Sequence, residues 1–278
     1  MPLITAHDLM GEIDDNALRV VDCRWYLGKP TDGLDAYAKG HIPGAVYGDL
    51  EADLSAPATG GRHPLPEPEA FAATLRRWGI HEPTKVVVYD DRGGAIASRL
   101  WWMLTQQGHA ETYVLDGGLQ AWREAGGRLT TDRPDIETPR NDSSIDVTPW
   151  TGTADLSDVA GRADEVVVAD ARGADRYRGE TEPIHSKAGH IPGAISFPLT
   201  NNLDGLGFKR PNELRAAYAA AKIDEGTDVI MHCGSGVTAC HNILAMEIAG
   251  LDRPRLYVGS WSDWSTSNQP IATGSEPS

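Results

Sequence analysis

Cysteine is scarce in this chain. Three residues in 278, at positions 23, 233 and 240, are an odd number and too thinly spread to make a disulfide framework. No pair of them has metal-ligand spacing, so neither a metal nor a cofactor is expected. Positive charge is short as well: 25 Lys and Arg stand against 40 Asp and Glu, a formal net charge of −15. Nucleic acid and anionic membrane would repel such a chain at long range and are not expected as partners. A small anionic ligand would need a local positive pocket. No apolar run approaches the ~20 residues of a membrane span, and the start, Met1 to Met10, lacks a basic segment followed by a continuous apolar one. These absences describe a soluble, non-secreted protein, with the reducing cytoplasm the expected setting for a working thiol.

Against this background one cysteine stands out. Residues 229–241, Val-Ile-Met-His-Cys-Gly-Ser-Gly-Val-Thr-Ala-Cys-His, place Cys233 after an apolar run and before small, loop-forming residues. Asp228–Met231 reads as a buried strand, and Ala239–Ile248 reads as the first turns of a helix. Cys233 then lies at a strand-to-helix turn, where successive backbone N–H groups and the positive end of the helix dipole can converge on its sulfur. That setting favours a nucleophilic thiolate. Gly234 and Gly236 permit the backbone angles of a tight cradle. Cys240, two helical turns on, and Cys23, in the strand-like run Leu18–Cys23, read as core residues.

The chain also repeats itself. His41-Ile-Pro-Gly-Ala-Val46 and His190-Ile-Pro-Gly-Ala-Ile195 are near copies 149 positions apart. Upstream, Val20-Val21-Asp22-Cys23-Arg24 matches Val168-Ala169-Asp170-Ala171-Arg172. Downstream, Val86–Asp90 matches Val229–Cys233 at an offset of 143, and Gly117–Trp122 recurs as Gly259–Trp264. Preserved order with small drift marks a duplicated domain. Apolar runs alternate with helical patterns such as Glu69–Trp78 and Ala95–Gln107, which predicts an α/β fold, each copy a mainly parallel sheet flanked by helices on both faces. The expected division is a first domain over 1–126, a linker over 127–152 and a second domain over 153–278, with a loose polar tip after residue 268. Where the second copy has Cys233 the first has Asp90, so only the second carries the reagent. The simplest reading is one active site, built by the second domain and roofed by the first.

These residues resemble the tandem-domain rhodanese sulfurtransferases: His-Ile-Pro-Gly-Ala in each half, Asp-x-Arg near the start of each domain, and Cys-Gly-Ser-Gly-Val-Thr-Ala in the second half alone. The resemblance covers about residues 4–272. It implies that Cys233 takes a sulfane sulfur from a donor, holds it as a persulfide, and passes it to a thiol acceptor such as thioredoxin, or to cyanide. The amides from Gly234 through Val237 and Thr238 to Ala239 would stabilise the terminal sulfur. Thr238 would add a hydroxyl donor or cap the following helix. The uncharged loop resembles the mercaptopyruvate class, which favours 3-mercaptopyruvate over thiosulfate as donor. In that class a serine in the place of Ser235 is set in a Ser-His-Asp arrangement with a histidine in the place of His41, and Asp35 or Asp32 would be the third member. The competing reading of His41 is a structural turn, as in its twin His190.

Arg176 matches the family's substrate arginine, ahead of Glu180-Thr-Glu182-Pro183, while Arg172 reads as structural, pairing with Asp170. Mercaptopyruvate enzymes carry a second arginine after the Glu-Pro, where this chain has Ile184-His185-Ser186-Lys187. His185 or Lys187 would have to stand in for it. The alternatives are a thiosulfate:cyanide sulfurtransferase and a non-enzymatic sulfur-binding or regulatory module. A cysteine phosphatase is excluded, because position 239 is alanine where that chemistry needs an arginine to hold the phosphoryl group.

Overall fold

The computed structural model describes residues 1–58, 60–136 and 147–277. Two compact units emerge. The first comprises Met1–Ala56, Pro66–Thr151 and Asp204–Phe208, and the second comprises Pro57–Leu65, Gly152–Leu203 and Lys209–Ser278.

In the first unit the elements run β1 (Leu3–Ile4), α1 (Ala6–Glu12), β2 (Leu18–Asp22), α2 (Asp32–Lys39), β3 (Val46–Tyr47), α3 (Pro68–Arg77), β4 (Lys85–Tyr89), α4 (Ala97–Gln106), β5 (Thr112–Leu115) and α5 (Gly118–Glu124). The strands form a parallel sheet in the order β1-β5-β4-β2-β3. The second unit has β6 (Thr153–Ala154), α6 (Leu156–Ala160), β7 (Val167–Asp170), α7 (Ala174–Tyr177) and β8 (Ile195–Ser196). After a short 3-10 turn at Leu199–Asn202 come β9 (Leu203–Asp204) and β10 (Gly207–Phe208), whose residues Asp204–Phe208 group with the first unit, then α8 (Pro211–Ala220), β11 (Val229–His232), α9 (Ala239–Ile248), β12 (Arg255–Tyr257) and α10 (Ser260–Trp264). Its five-stranded sheet is parallel too, in the order β6-β12-β11-β7-β8, the same arrangement strand for strand. β9 and β10 pair only with each other.

The local chemistry repeats with the topology. Thr5 and Asp155 cap α1 and α6, accepting from the N–H of Asp8 and Asp158. The central strands carry apolar runs buried on both faces, Val86–Tyr89 in β4 and Val229–Met231 in β11, as parallel sheets covered by helices require. Leu9, Val20, Val87, Leu119 and Trp122 pack together in the first unit, and Val159, Val168, Ile230, Tyr257, Trp261 and Trp264 in the second.

Two expectations about boundaries change. The described parts of 127–152 pack with the first unit instead of standing apart: Thr130 bridges His41, the Trp122 indole donates to Arg128 O, and Trp150 packs against Phe71 and Trp102. Asn141–Ser144 lies outside the described residues. The polar end of the chain is also tied down, by a bridge between Ala272 and His190 and by the Gly274 N–H on Arg178 O.

Candidate active site

β11 ends at His232 and hands the chain to Cys233, which is 1% exposed. The main chain of Cys233 is held at both ends. Its N–H donates to Ser260 Oγ at 3.1 Å, and its carbonyl accepts from Trp261 N–H at 3.0 Å. Gly234 O accepts from Ser262 N–H, so the first turn of α10 fastens the start of the loop. Gly236 has φ of +73°, and a side chain there would drive a Cβ to 2.5 Å from Val258 O. Only glycine fits both demands.

The corresponding loop of the first unit shows what this backbone does. Asp90 follows β4 as Cys233 follows β11, and its buried carboxylate accepts four backbone hydrogen bonds. Arg92 and Gly94 donate to Oδ1 at 2.8 and 2.9 Å, and Ile96 and Ala97 donate to Oδ2 at 2.7 and 2.9 Å. Burial leaves the Asp90 carboxyl above its usual range, the four N–H donors offsetting only part of the rise. In the first unit the strand-loop-helix turn is thus an anion cradle filled by a carboxylate. In the second a cysteine heads the corresponding turn, where the Cys240 N–H, equivalent to that of Ala97, donates to Val237 O.

Ser235, 7% exposed, is hydrogen-bonded through Oγ to Nδ1 of His63 at 2.8 Å. His63 belongs to the second unit through the segment Pro57–Leu65, and its neighbour Arg62 donates its N–H to Ser262 Oγ. His41 is engaged elsewhere. Its Nδ1 meets Tyr37 O at 2.9 Å, its Nε2 meets Asp132 O at 3.0 Å, and its ring stacks on Tyr37 at 3.8 Å. His190 repeats this with Tyr177, at 2.8 Å to the carbonyl and 3.8 Å between rings. The two histidines therefore do the same structural work. Asp35 is exposed on α2, and Asp32 pairs with Lys29.

Beside the loop lies an ion network. Arg172 clamps Asp170 and donates to Gly189 O, as Arg24 clamps Asp22 and donates to Gly40 O in the first unit. Arg176 sits over the loop: a Cβ on Gly234 would be 3.6 Å from both of its terminal nitrogens. Its Nε and Nη2 are turned to Glu182, whose side chain is 2% exposed. Glu182 also receives Arg172 Nη1 at 3.3 Å and His185 Nδ1 at 3.2 Å. Burial drives the Glu182 carboxyl upward, but the hydrogen bond and charge of Arg176, with the Ile184 N–H and His185, hold it below the usual range. His185 is shifted down, by burial first and by Arg176 and Arg62, against the pull of Glu182. Lys187 donates to Ser267 O, and Arg178 pairs with Glu180 at the surface. Neither His185 nor Lys187 presents an arginine-like fork to the loop.

Thr238 heads α9 without a side-chain capping bond. Cys240 is buried with its thiol on Gly236 O, and Cys23 is buried where burial first, and then the charges of Asp22, Asp90 and Asp53, raise its pKa. Among the described residues no three His, Cys, Asp or Glu side chains are grouped to hold a metal, and no helix is long and apolar enough to cross a membrane.

Sequence reasoning missed His63 and Ser260. A signal for His63 existed: the repeat offset shrinks from 149 to 143 between His41 and Asp90, so the first copy carries extra residues in the span that holds Arg62 and His63. Ser260 was visible as the one serine replacing the second glycine of the Gly117-Gly118 pair.

The rhodanese-like domain family matches residues 5–125 and 154–267, one match per unit. This chain belongs to the rhodanese-like family, as a tandem-domain sulfurtransferase. The "Probable 3-mercaptopyruvate sulfurtransferase" of Pseudomonas aeruginosa is 43% identical over 98% of both chains. "Putative thiosulfate sulfurtransferase SseB" of Mycobacterium tuberculosis is 42% identical over 98% of this chain and 97% of its own. The crystal structure of SseA from Escherichia coli, described with the "Rhodanese" fold of 3-mercaptopyruvate sulfotransferases, superposes with a TM-score of 0.81 at 32% identity, over 94% of this chain and 99% of that one. A sulfurtransferase needs a sulfur donor and a sulfur acceptor, and both must reach one nucleophile.

Proposed function

We propose that this sulfurtransferase carries sulfur on Cys233, takes it from a small anionic donor with 3-mercaptopyruvate preferred, and delivers it to a thiol such as that of thioredoxin or to cyanide. The Cys233 thiolate attacks the donor sulfur. The carbon–sulfur bond breaks with its electron pair on the three-carbon fragment, which leaves as an enolate and takes up a proton to become pyruvate. Cys233 keeps the sulfur as a persulfide, and an acceptor nucleophile attacks the terminal sulfur and restores the thiolate. Atoms and electrons balance without an outside oxidant.

The observation that carries this reading is the four-amide grip on Asp90 at the position equivalent to Cys233. The corresponding turn in the second unit would hold the negative terminal sulfur of a persulfide. Ser235 with His63 would supply the proton that the leaving enolate needs, and Arg176 would bind the donor's carboxylate; the Ser235–His63 hydrogen bond and the nearness of Arg176 to Gly234 support these roles. The loop from Gly234 to Thr238 contains no charged side chain, which suits a monoanion better than a dianion. Cytoplasmic location belongs to the same reading.

Mass spectrometry of the intact protein after incubation with 3-mercaptopyruvate tests it. A gain of about 32 Da at Cys233, removed by cyanide, is expected. No gain with either 3-mercaptopyruvate or thiosulfate would favour the binding-module alternative.

A further inference from the structure

Arg176 is a peculiar anion receptor, because it comes already neutralised. A guanidinium meant to attract a carboxylate by charge would stand alone. Here Nε and Nη2 are spent on the Glu182 carboxylate at 3.3 and 2.8 Å, and that carboxylate is almost fully enclosed. The neighbouring Arg172 is neutralised in the same way by Asp170 at 2.6 Å. What Arg176 offers to the loop is a directed N–H donor, with Nη1 outside the Glu182 clamp and beside Gly234. Two arginines and two carboxylates leave a site with fixed donors and little net charge.

We propose that Glu182 sets the charge preference of the donor site, holding Arg176 in place and neutralising it so that a monoanionic carboxylate donor is favoured over a dianionic thiosulfonate-type donor. This deepens the sulfur-transfer reading above and rests on it. Both donors gain from the same hydrogen bond, but the second charge of a dianion is opposed by the enclosed Glu182 carboxylate. At partly buried separations of several ångströms one such charge is worth about tenfold in selectivity. His185 belongs to the device. Its Nδ1 points at Glu182, while its Nε2 is enclosed without a hydrogen-bond partner, an arrangement suited to an uncharged ring that adds no positive charge. Glu182 is thus a positioning and specificity residue, not a catalytic one.

The test is the ratio of kcat/KM for thiosulfate to kcat/KM for 3-mercaptopyruvate, both measured on one preparation so that any loss of folded protein cancels. Glu182→Gln removes the negative charge and should raise this ratio about tenfold. Glu182→Asp keeps the charge on a shorter arm and should leave the ratio within about twofold, even where both rates fall. Arg176→Gln leaves Glu182 uncompensated and should move the ratio the opposite way, against thiosulfate. A ratio untouched by Glu182→Gln, or shifted equally by Glu182→Asp, overturns the inference while leaving sulfur transfer intact. Should the unaltered protein turn over neither donor, with no mass added at Cys233, the sulfur-transfer reading falls and this inference with it.

Discussion

Ser260 holds the main-chain N–H of Cys233 at 3.1 Å, and it does so from a left-handed backbone conformation with φ of +53°. The equivalent residue of the first unit is Gly118, at φ of +56°, where a Cβ would collide with Asp90 O at 2.3 Å. The second copy has therefore accepted backbone strain to gain a hydroxyl at the root of Cys233. That hydroxyl also donates to Tyr257 O. Strain at a non-glycine residue is retained where it serves the site.

Ser260→Gly should separate these two effects. Relief of the left-handed conformation offsets the lost hydrogen bonds, so the unfolding midpoint should move little. The rate of persulfide formation should still fall about tenfold, because the Cys233 N–H loses its anchor. Stopped-flow sulfur transfer beside urea titration reads both quantities. Loss of stability with unchanged rate would show that the hydroxyl serves the fold alone.

Cys233→Ser should abolish turnover with every donor, while Cys240→Ala should keep it, since Cys240 is buried with its thiol turned to Gly236 O. Measurable transfer by Cys233→Ser would refute the persulfide route.

His63→Ala and Ser235→Ala should each lower kcat with 3-mercaptopyruvate by about 10²-fold, the usual scale for loss of a proton donor. Thiosulfate turnover should fall much less, because its leaving sulfite needs no proton to depart. Together the two variants should cost little more than either alone, given the 2.8 Å hydrogen bond between them. Additive losses would mean separate roles. His41→Ala should cost stability in place of proton transfer, as should His190→Ala.

Acid stability follows from Glu182. Its folded pKa lies below the ordinary carboxylate value, so its contribution is present above about pH 4.3 and is lost as pH falls through the lowered folded value. Glu182→Gln should flatten this part of the acid limb in urea midpoints taken from neutral pH downward. An acid limb of unchanged steepness would assign the loss to Asp170, whose carboxyl burial raises and His232 and Arg172 lower, with a net downward shift.

Asp90→Ala should destabilise the first unit by about 3 kcal/mol or more, since four buried N–H groups lose their acceptor. Asp90→Asn should do little better, because its amide turns N–H groups on two of those donors. A urea midpoint equal to that of the unaltered protein would contradict the cradle argument.

The duplication and the parallel sheets were legible because each is local or repeated: apolar strand runs and glycines at fixed places. Cys233 and Ser235 drew attention in the same way, as one cysteine and its loop where the twin has aspartate. The histidine that Ser235 meets did not, because His63 comes from a segment set apart from the rest of the second unit and lies 172 residues before Ser235, and no periodicity announces such a return. His41 attracted attention through its motif, yet the twin at His190 already said that the motif builds a turn. The role of Glu182 was hidden in another way. A glutamate in a polar loop reads as solvated, and only coordinates reveal that two arginines and a histidine enclose it.

The filled cradle of the first half has a consequence for wear. Peroxide and electrophiles attack thiolates and spare carboxylates, so Asp90 makes its half chemically inert at the very position where the other half is exposed to damage. Oxidants should silence this enzyme well before they unfold it, leaving an intact scaffold that a reductant can return to service as long as oxidation of Cys233 has stopped at the sulfenic stage.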